Sequence, residues 1–300
     1  MLLALSACDG GGEGYSSKAA VMEPVTGADV SELNLKYVNE ASGILAESYE
    51  KAVIDYSNTG DGYIMVRYNG DGNIKVKVQV KGPQDTYSYT LKAGEYDSLP
   101  LSQGNGEYRV SVFENVEGNK YAQILSCAFN ANIKDEFLPF LRPNVFVDYS
   151  VAPNAVMTAK KLTEEAEDNL DKVALVYEFV VGTLSYDKEE AATVTSGYVP
   201  DIDAVLAKRS GICFDYASLM TGMLRSCDVP CKLVVGYAGD AYHAWISVWV
   251  DGEGWVDNII HFDGTKWERM DPTLASSDIS QKEIASYVGD GSNYVAKYFY

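Results

Sequence analysis

The chain has 300 residues, of which 47% are hydrophobic and 22% charged, with a formal net charge of −19. That is an ordinary globular composition with material for a sizeable core, and its length suggests two domains. The acidic balance argues against a nucleic-acid partner, since neutralising phosphates takes clustered Lys and Arg, and otherwise reads as a solvated surface.

Residues Met1 to Cys8 form an apolar run whose small residues close on a cysteine. Leu5-Ser6-Ala7-Cys8 resembles a bacterial lipobox, although no basic stretch precedes it. The resemblance implies a lipid at Cys8 and a membrane-anchored, extracytoplasmic place at the cell surface; the alternative is a secreted protein without a tether. Asp9 to Ser17 is rich in Gly, Ser and acid, so residues 1–28 read as a signal end and flexible tether. No later apolar run approaches the ~20 residues of a membrane helix.

From Asp29 the period becomes helical. Asp29 caps with Glu32 three residues on, and Val38, Ala41, Leu45, Tyr49, Ala52 and Tyr56 mark one face, which gives a helical segment over 29–58. The period then changes to two, as in Tyr63 to Tyr68 and Ile74 to Val80, with turns at Asn69-Gly70-Asp71-Gly72, Lys81-Gly82-Pro83 and Gly104-Asn105-Gly106. This predicts an immunoglobulin-like β-sandwich over 60–132, its alternating Tyr and Val serving as core and cross-strand pairs rather than as a ligand groove. Residues 133–154, with Pro139 and Pro143, read as an interdomain linker. Each half is then expected to fold alone, the β-domain acting as a spacer or as a docking module for substrate.

In the second half, Ala155 to Thr183 reads as a helix and Asp203 to Lys208 as a short one. Next comes Ser210-Gly211-Ile212-Cys213, where glycine allows a tight turn before a buried helix carrying Ala217, Leu219, Met220, Met223 and Leu224. A cysteine at a helix N-terminus is biased towards thiolate. A lone cysteine is more often a small buried hydrophobe, but the downstream sequence favours chemistry. His243, one of two histidines, lies in a strand-like stretch, and Asp271 follows Trp267 in the next. Cysteine, histidine and carboxylate on separate elements follow the nucleophile, base and orienter logic of covalent catalysis.

Gly211-Ile212-Cys213-Phe214-Asp215-Tyr216-Ala217, Val229-Pro230 with Val235-Gly236-Tyr237, His243-Ala244-Trp245 and Met270-Asp271-Pro272-Thr273 resemble, in order and spacing, the transglutaminase-like superfamily of papain-like cysteine enzymes. The resemblance spans residues 155–300. It implies an α+β catalytic domain in which a core helix carrying Cys213 packs on an antiparallel sheet carrying His243 and Asp271. Lys232 to Tyr237, Ala244 to Val250 and Trp267 to Met270 read as strands of that sheet, closed by Tyr294 to Tyr300. The family includes cross-linking enzymes, peptidases, deamidases and members that have lost the chemistry, so it implies machinery rather than a reaction.

The expected reaction is acyl transfer on a peptide or carboxamide bond of a protein or peptide at the cell envelope, with hydrolysis favoured because an exposed acyl-enzyme meets water by default. Transamidation and a silent scaffold are the alternatives. The oxyanion would be held by the Cys213 N–H and one upstream donor, for which Tyr186 is the candidate. Asp257 competes with Asp271, and His261 with His243, but neither fits the motif pattern. Of the remaining cysteines, Cys227 and Cys231 flank Asp228-Val229-Pro230 and are read as small packing residues in preference to a strained disulfide, while Cys127 has no evident partner. No metal or cofactor is expected, since the histidines and cysteines show no ligand spacing. Oligomeric state is not written in the sequence.

Overall fold

Alternation of Val with Lys or Gln along residues 76–81 makes a strand with one buried and one wet face, and the pattern recurs through the first half of the chain. The computed structural model describes residues 22–257, 261–262, 267–268, 273 and 292–300. Its first half contains β1 (Ala46–Tyr49), β2 (Ala52–Asp55), β3 (Tyr63–Tyr68), β4 (Val76–Lys81), β5 (Thr86–Leu91), β6 (Tyr96–Pro100), β7 (Gly106–Glu117) and β8 (Lys120–Ala131). These form two four-stranded antiparallel sheets, ordered β1-β2-β3-β6 and β5-β4-β7-β8. Val76, Val78, Val80, Tyr89, Val110 and Val112 from one sheet share a core with Ile54, Ile64, Val66 and Leu99 from the other. At the start of β7 the buried Tyr108 donates its hydroxyl to the Gly104 carbonyl at 2.8 Å, pinning the preceding loop.

The expected helix over 29–58 is not formed. That stretch holds a 3-10 turn at Val30–Glu32, where Asp29 caps the Ser31 N–H, and then the hairpin β1–β2. Of the helical-period positions, Val38, Leu45 and Tyr49 stay 61%, 49% and 56% exposed. Ala52 is buried together with Ile54, which the helical period did not mark, because β2 pairs with β3, so sheet pairing overrides the local period. The β-region therefore begins near Ala46 rather than at residue 60.

Residues 133–154 do not span two bodies as a free linker. They fold into 3-10 turns at Leu138–Phe140 and Tyr149–Val151, with Phe140, Leu141, Val147 and Tyr149 buried, and the Tyr149 hydroxyl donates to the Leu141 carbonyl at 2.7 Å. The helix expected over Ala155 to Thr183 is two helices, α1 (Pro153–Leu162) and α2 (Asn169–Thr183). The break follows from Asp168, whose side chain accepts from the Asp171 N–H and starts a new helix.

Beyond them lie β9 (Ser185–Tyr186), α3 (Lys188–Thr193), α4 (Ile202–Lys208), β10 (Ser210–Gly211) and α5 (Cys213–Ser226). Helix α5 is buried on every side from Asp215 to Arg225, the mark of a central helix rather than of an amphipathic surface one. It packs on an antiparallel sheet of β11 (Cys231–Ala238), β12 (Ala241–Val250), β13 (Gly254–Asp257) and the returning β16 (Tyr294–Phe299), ordered β13-β12-β11-β16. Trp267–Glu268, expected in this sheet, is instead β15, paired with β14 (His261–Phe262) in a separate ladder; the outer place is taken by β13, which follows β12 through a short turn.

The two halves share one apolar core. Phe146 lies between Tyr89 of β5 and Tyr300, with ring centres 5.7 and 4.7 Å away, and the Phe299 N–H donates to the Tyr87 hydroxyl at 3.2 Å. Beneath them Arg225 of α5 is fully buried. Its Nε donates to the Cys231 carbonyl (2.9 Å), Nη1 to that of Arg142 (2.8 Å) and Nη2 to that of Tyr300 (2.6 Å). Burial pulls this guanidinium down to about 10, so it remains charged at neutral pH.

Arg225→Met should strip the guanidinium donor from the Arg142 and Cys231 carbonyls and leave that of Tyr300 with only the Leu233 N–H at 2.9 Å, a loss of about 3 kcal/mol, read as a fall in Tm of roughly 6–12 °C. A second expectation concerns Asp97 of β6, whose carboxyl is raised to about 6, chiefly by burial. A carboxylate raised above its unfolded pKa costs stability as pH rises from about 4 through 6. Asp97→Asn should therefore raise Tm relative to the parent at pH 7 and lose that advantage near pH 4, as followed by thermal melts across that range.

Candidate active site

The turn into α5 is built by a short parallel ladder. Arg209, in the left-handed region at φ 55°, ends α4 and sends the chain into β10, which pairs with β9: Ser185 N–H donates to the Arg209 carbonyl and Asp187 N–H to that of Gly211, each at 3.0 Å. Ile212 is extended (φ −95°, ψ 175°), and Cys213 is the first residue of the helix. At such a terminus the first backbone N–H groups have no partner within the helix and carry its positive dipole end.

Gly211 serves here in a way the tight-turn reading missed. A Cβ on it would lie 2.6 Å from the Cβ of Asp215, so the glycine is required by close approach. Asp215 in turn does more than complement the helix dipole. Only 1% exposed, it accepts from the Ile212 N–H through Oδ2 (2.8 Å) and from the Tyr198 hydroxyl through Oδ1 (2.6 Å). Burial pushes its carboxyl up, against the lowering effect of those two donors, and burial together with the Asp215 contact pushes the Tyr198 hydroxyl up as well. Tyr198 has no sequence signature: it sits in a loop after Gly197, and only the fold sets it against the helix.

On β12, alternation sends Ala244, Ile246 and Val248 into the core and leaves His243 and Trp245 on the other side, their rings 6.1 Å apart, with Tyr294 at 6.2 Å from His243. His243 lies opposite Gly236 of β11. A Cβ on Gly236 would fall 2.1 Å from the Val295 carbonyl, so glycine lets β16 close against β11 beside the histidine.

Cys213, His243 and Tyr186 all line one cleft of about 660 Å³. Its walls include Phe214, Tyr198, Tyr242 and Tyr300, and, from the N-terminal sheets, Lys77, Gln79, Ser88 and Thr90. Cys213 is partly exposed and free; Cys127, Cys227 and Cys231 are free as well, so the Cys227–Cys231 disulfide is not formed. Burial raises Cys127 and Cys231 to about 11 and raises Cys227, whose thiol sits 3.4 Å from the Thr163 hydroxyl. Asp271 and Cys8 lie outside the described residues. Asp257 is exposed at the end of β13, opposite Ser247, and is not among the described lining residues. His261 lies on the separate β14–β15 ladder.

Residues 156–258 match the family described as the transglutaminase-like superfamily. This part of the chain is a transglutaminase-like domain. Among curated proteins it is similar to the uncharacterized protein YebA of Bacillus subtilis, 27% identical over 146 residues, covering 42% of this chain and 19% of that one. It is also similar to a protein-glutamine gamma-glutamyltransferase of Pseudomonas aeruginosa, 28% identical over 162 residues, covering 48% and 22%. The chain thus spans about a fifth of the length of these relatives. Among solved structures, the red sea bream transglutaminase aligns with a TM-score of 0.29 at 14% identity, covering 70% of this chain and 48% of that one.

Within the transglutaminase-like domain the Gly211–Asp215 contact sets the helix start. Gly211→Ala should displace Asp215 and with it the first turn of α5, costing about 1–3 kcal/mol as an overpacking change. Alkylation of Cys213 by iodoacetamide, timed by mass spectrometry, should slow in that variant even where it remains folded.

Proposed function

We propose that this protein is a cysteine enzyme that transfers an acyl group from a peptide or carboxamide bond to water. The observation that carries the reading is the placement of Cys213 at the N-terminus of α5 in the same cleft as His243. In the proposed mechanism His243 takes the Cys213 proton and the thiolate attacks the carbonyl carbon, forming a C–S bond. The C–N bond then breaks as the imidazolium returns the proton to the leaving nitrogen. Water, deprotonated by His243, attacks the thioester, releasing acid and thiolate. Asp271 is assigned to orient the imidazole and Tyr186, with the Cys213 N–H, to stabilise the oxyanion. Partial exposure of Cys213 supports hydrolysis, because water reaches the thioester unless a dry acceptor site excludes it.

Transamidation is the second reading, favoured by the name of the Pseudomonas aeruginosa relative. Release of free acid in the absence of amine, against product formed only when a lysine-like amine is added, separates the two. For location we propose a lipid at Cys8 and a place on the bacterial cell surface, on the strength of Leu5-Ser6-Ala7-Cys8. No helix among the described residues is long and apolar enough to cross a membrane. The β-region is assigned as immunoglobulin-like from its two-sheet strand order and the Tyr108 hydroxyl bond.

Iodoacetamide at pH 6 should label Cys213 far faster than Cys127, Cys227 or Cys231; equal labelling would remove the main support for an enzyme. Cys213→Ala and His243→Ala should each lower turnover by roughly 10⁴-fold or more, Asp271→Asn by less, because such groups act as a unit. His261→Ala should keep parental turnover.

A further inference from the structure

In a chain with 43 Asp and Glu and a net charge of −19, the cleft around Cys213 has no carboxylate among its described lining residues. Three acids close to it in sequence are turned to other partners. Asp187 and Glu190 each accept from Lys208 Nζ at 2.8 Å, and Asp215 is held below the surface by Tyr198 and the Ile212 N–H. The remaining wall comes from the other half of the molecule. Strands β4 and β5 bury Val78, Val80, Tyr87 and Tyr89, so their alternate residues face outward. There Lys77 lies directly across from Thr90, and Gln79 from Ser88. One ammonium, one amide and two hydroxyls therefore form a single tile, and all four residues line the cleft. Lys77 Nζ sits 4.3 Å from the centre of the Tyr121 ring, a contact that holds the ammonium on this face without neutralising it.

We propose that this tile is a substrate subsite, and that the substrate is an extended polypeptide carrying an acidic side chain, which pairs with Lys77 while a nearby carbonyl is presented to Cys213. The inference rests on the acyl-transfer reading above and names its substrate class. Gln79, Ser88 and Thr90 supply donors and acceptors for the peptide backbone. The protein's overall negative charge does not forbid such a ligand, because exposed charges beyond about 8 Å are largely screened at physiological ionic strength. Inside the cleft the decision falls to the groups that line it, and there the cation is unopposed by any described acid.

The test uses the full chain and two alkylating reagents of nearly equal size, anionic iodoacetate and neutral iodoacetamide. The iodoacetate-to-iodoacetamide rate ratio at Cys213 should fall by roughly threefold or more in Lys77→Glu, by less in Lys77→Gln, and the difference should shrink at high salt. Lys81→Glu, on the same strand but outside the cleft, should keep the parental ratio. Glutamate-containing peptides should protect Cys213 from iodoacetamide better than their glutamine counterparts, and this preference should vanish in Lys77→Glu. A reactive Cys213 whose ratio ignores Lys77 and whose protection ignores peptide charge overturns the acidic-substrate inference and leaves the acyl-transfer reading standing. A Cys213 that neither reagent modifies overturns both.

Discussion

The C-terminal half is organised around a buried guanidinium. Arg225, near the end of α5, donates to the carbonyls of Arg142, Cys231 and Tyr300, which belong to the segment leaving the β-region, the first strand of the C-terminal sheet and the residue after β16. A charge fully removed from water is tolerable only with its donors satisfied. Satisfying them requires these three pieces of chain to arrive together, so one side chain ties helix α5 to both halves of the molecule. The aromatic group of Tyr89, Phe146 and Tyr300 lies over the same junction and excludes water from it.

At the other end of α5 the constraint is steric. Cys213 is presented at the helix start because Asp215 folds back on the Ile212 N–H, and Asp215 fits only because Gly211 has no side chain. The ladder between β9 and β10 brings Tyr186 to the same turn. The helix is thus fixed at its C-terminal end by electrostatics and at its N-terminal end by close packing, which leaves little freedom for the thiol between them. A site built on a rigid, fully buried helix holds its geometry better than one built on a loop.

Because the halves share a core, the β-region is a wall of the cleft as well as a support. Its outward face meets the helix terminus across a space of about 660 Å³, within the range typical of sites for small ligands or peptide side chains. The segment with two prolines, which reads from sequence as an interdomain linker, is folded into the junction by Phe140, Leu141 and Tyr149. Proline stiffens a chain and removes donors, but where it leads is decided by what lies alongside.

The alternation of Val and Tyr with polar residues along 76–81 and 86–91 marked strands with one buried face on its own, since a half-buried strand has only one periodicity. Cys213 and His243 were legible because their surrounding motifs encode a helix start and a strand, and the structure places both on one cleft. Residues 29–58 were misread because their helical spacing competes with pairing to β3, a partner that no local pattern can reveal. The same limit hid Tyr198 and the Lys77 tile: outward-facing polar residues look alike wherever they fall, and only the packing of two sheets and one helix decides which of them face the thiol.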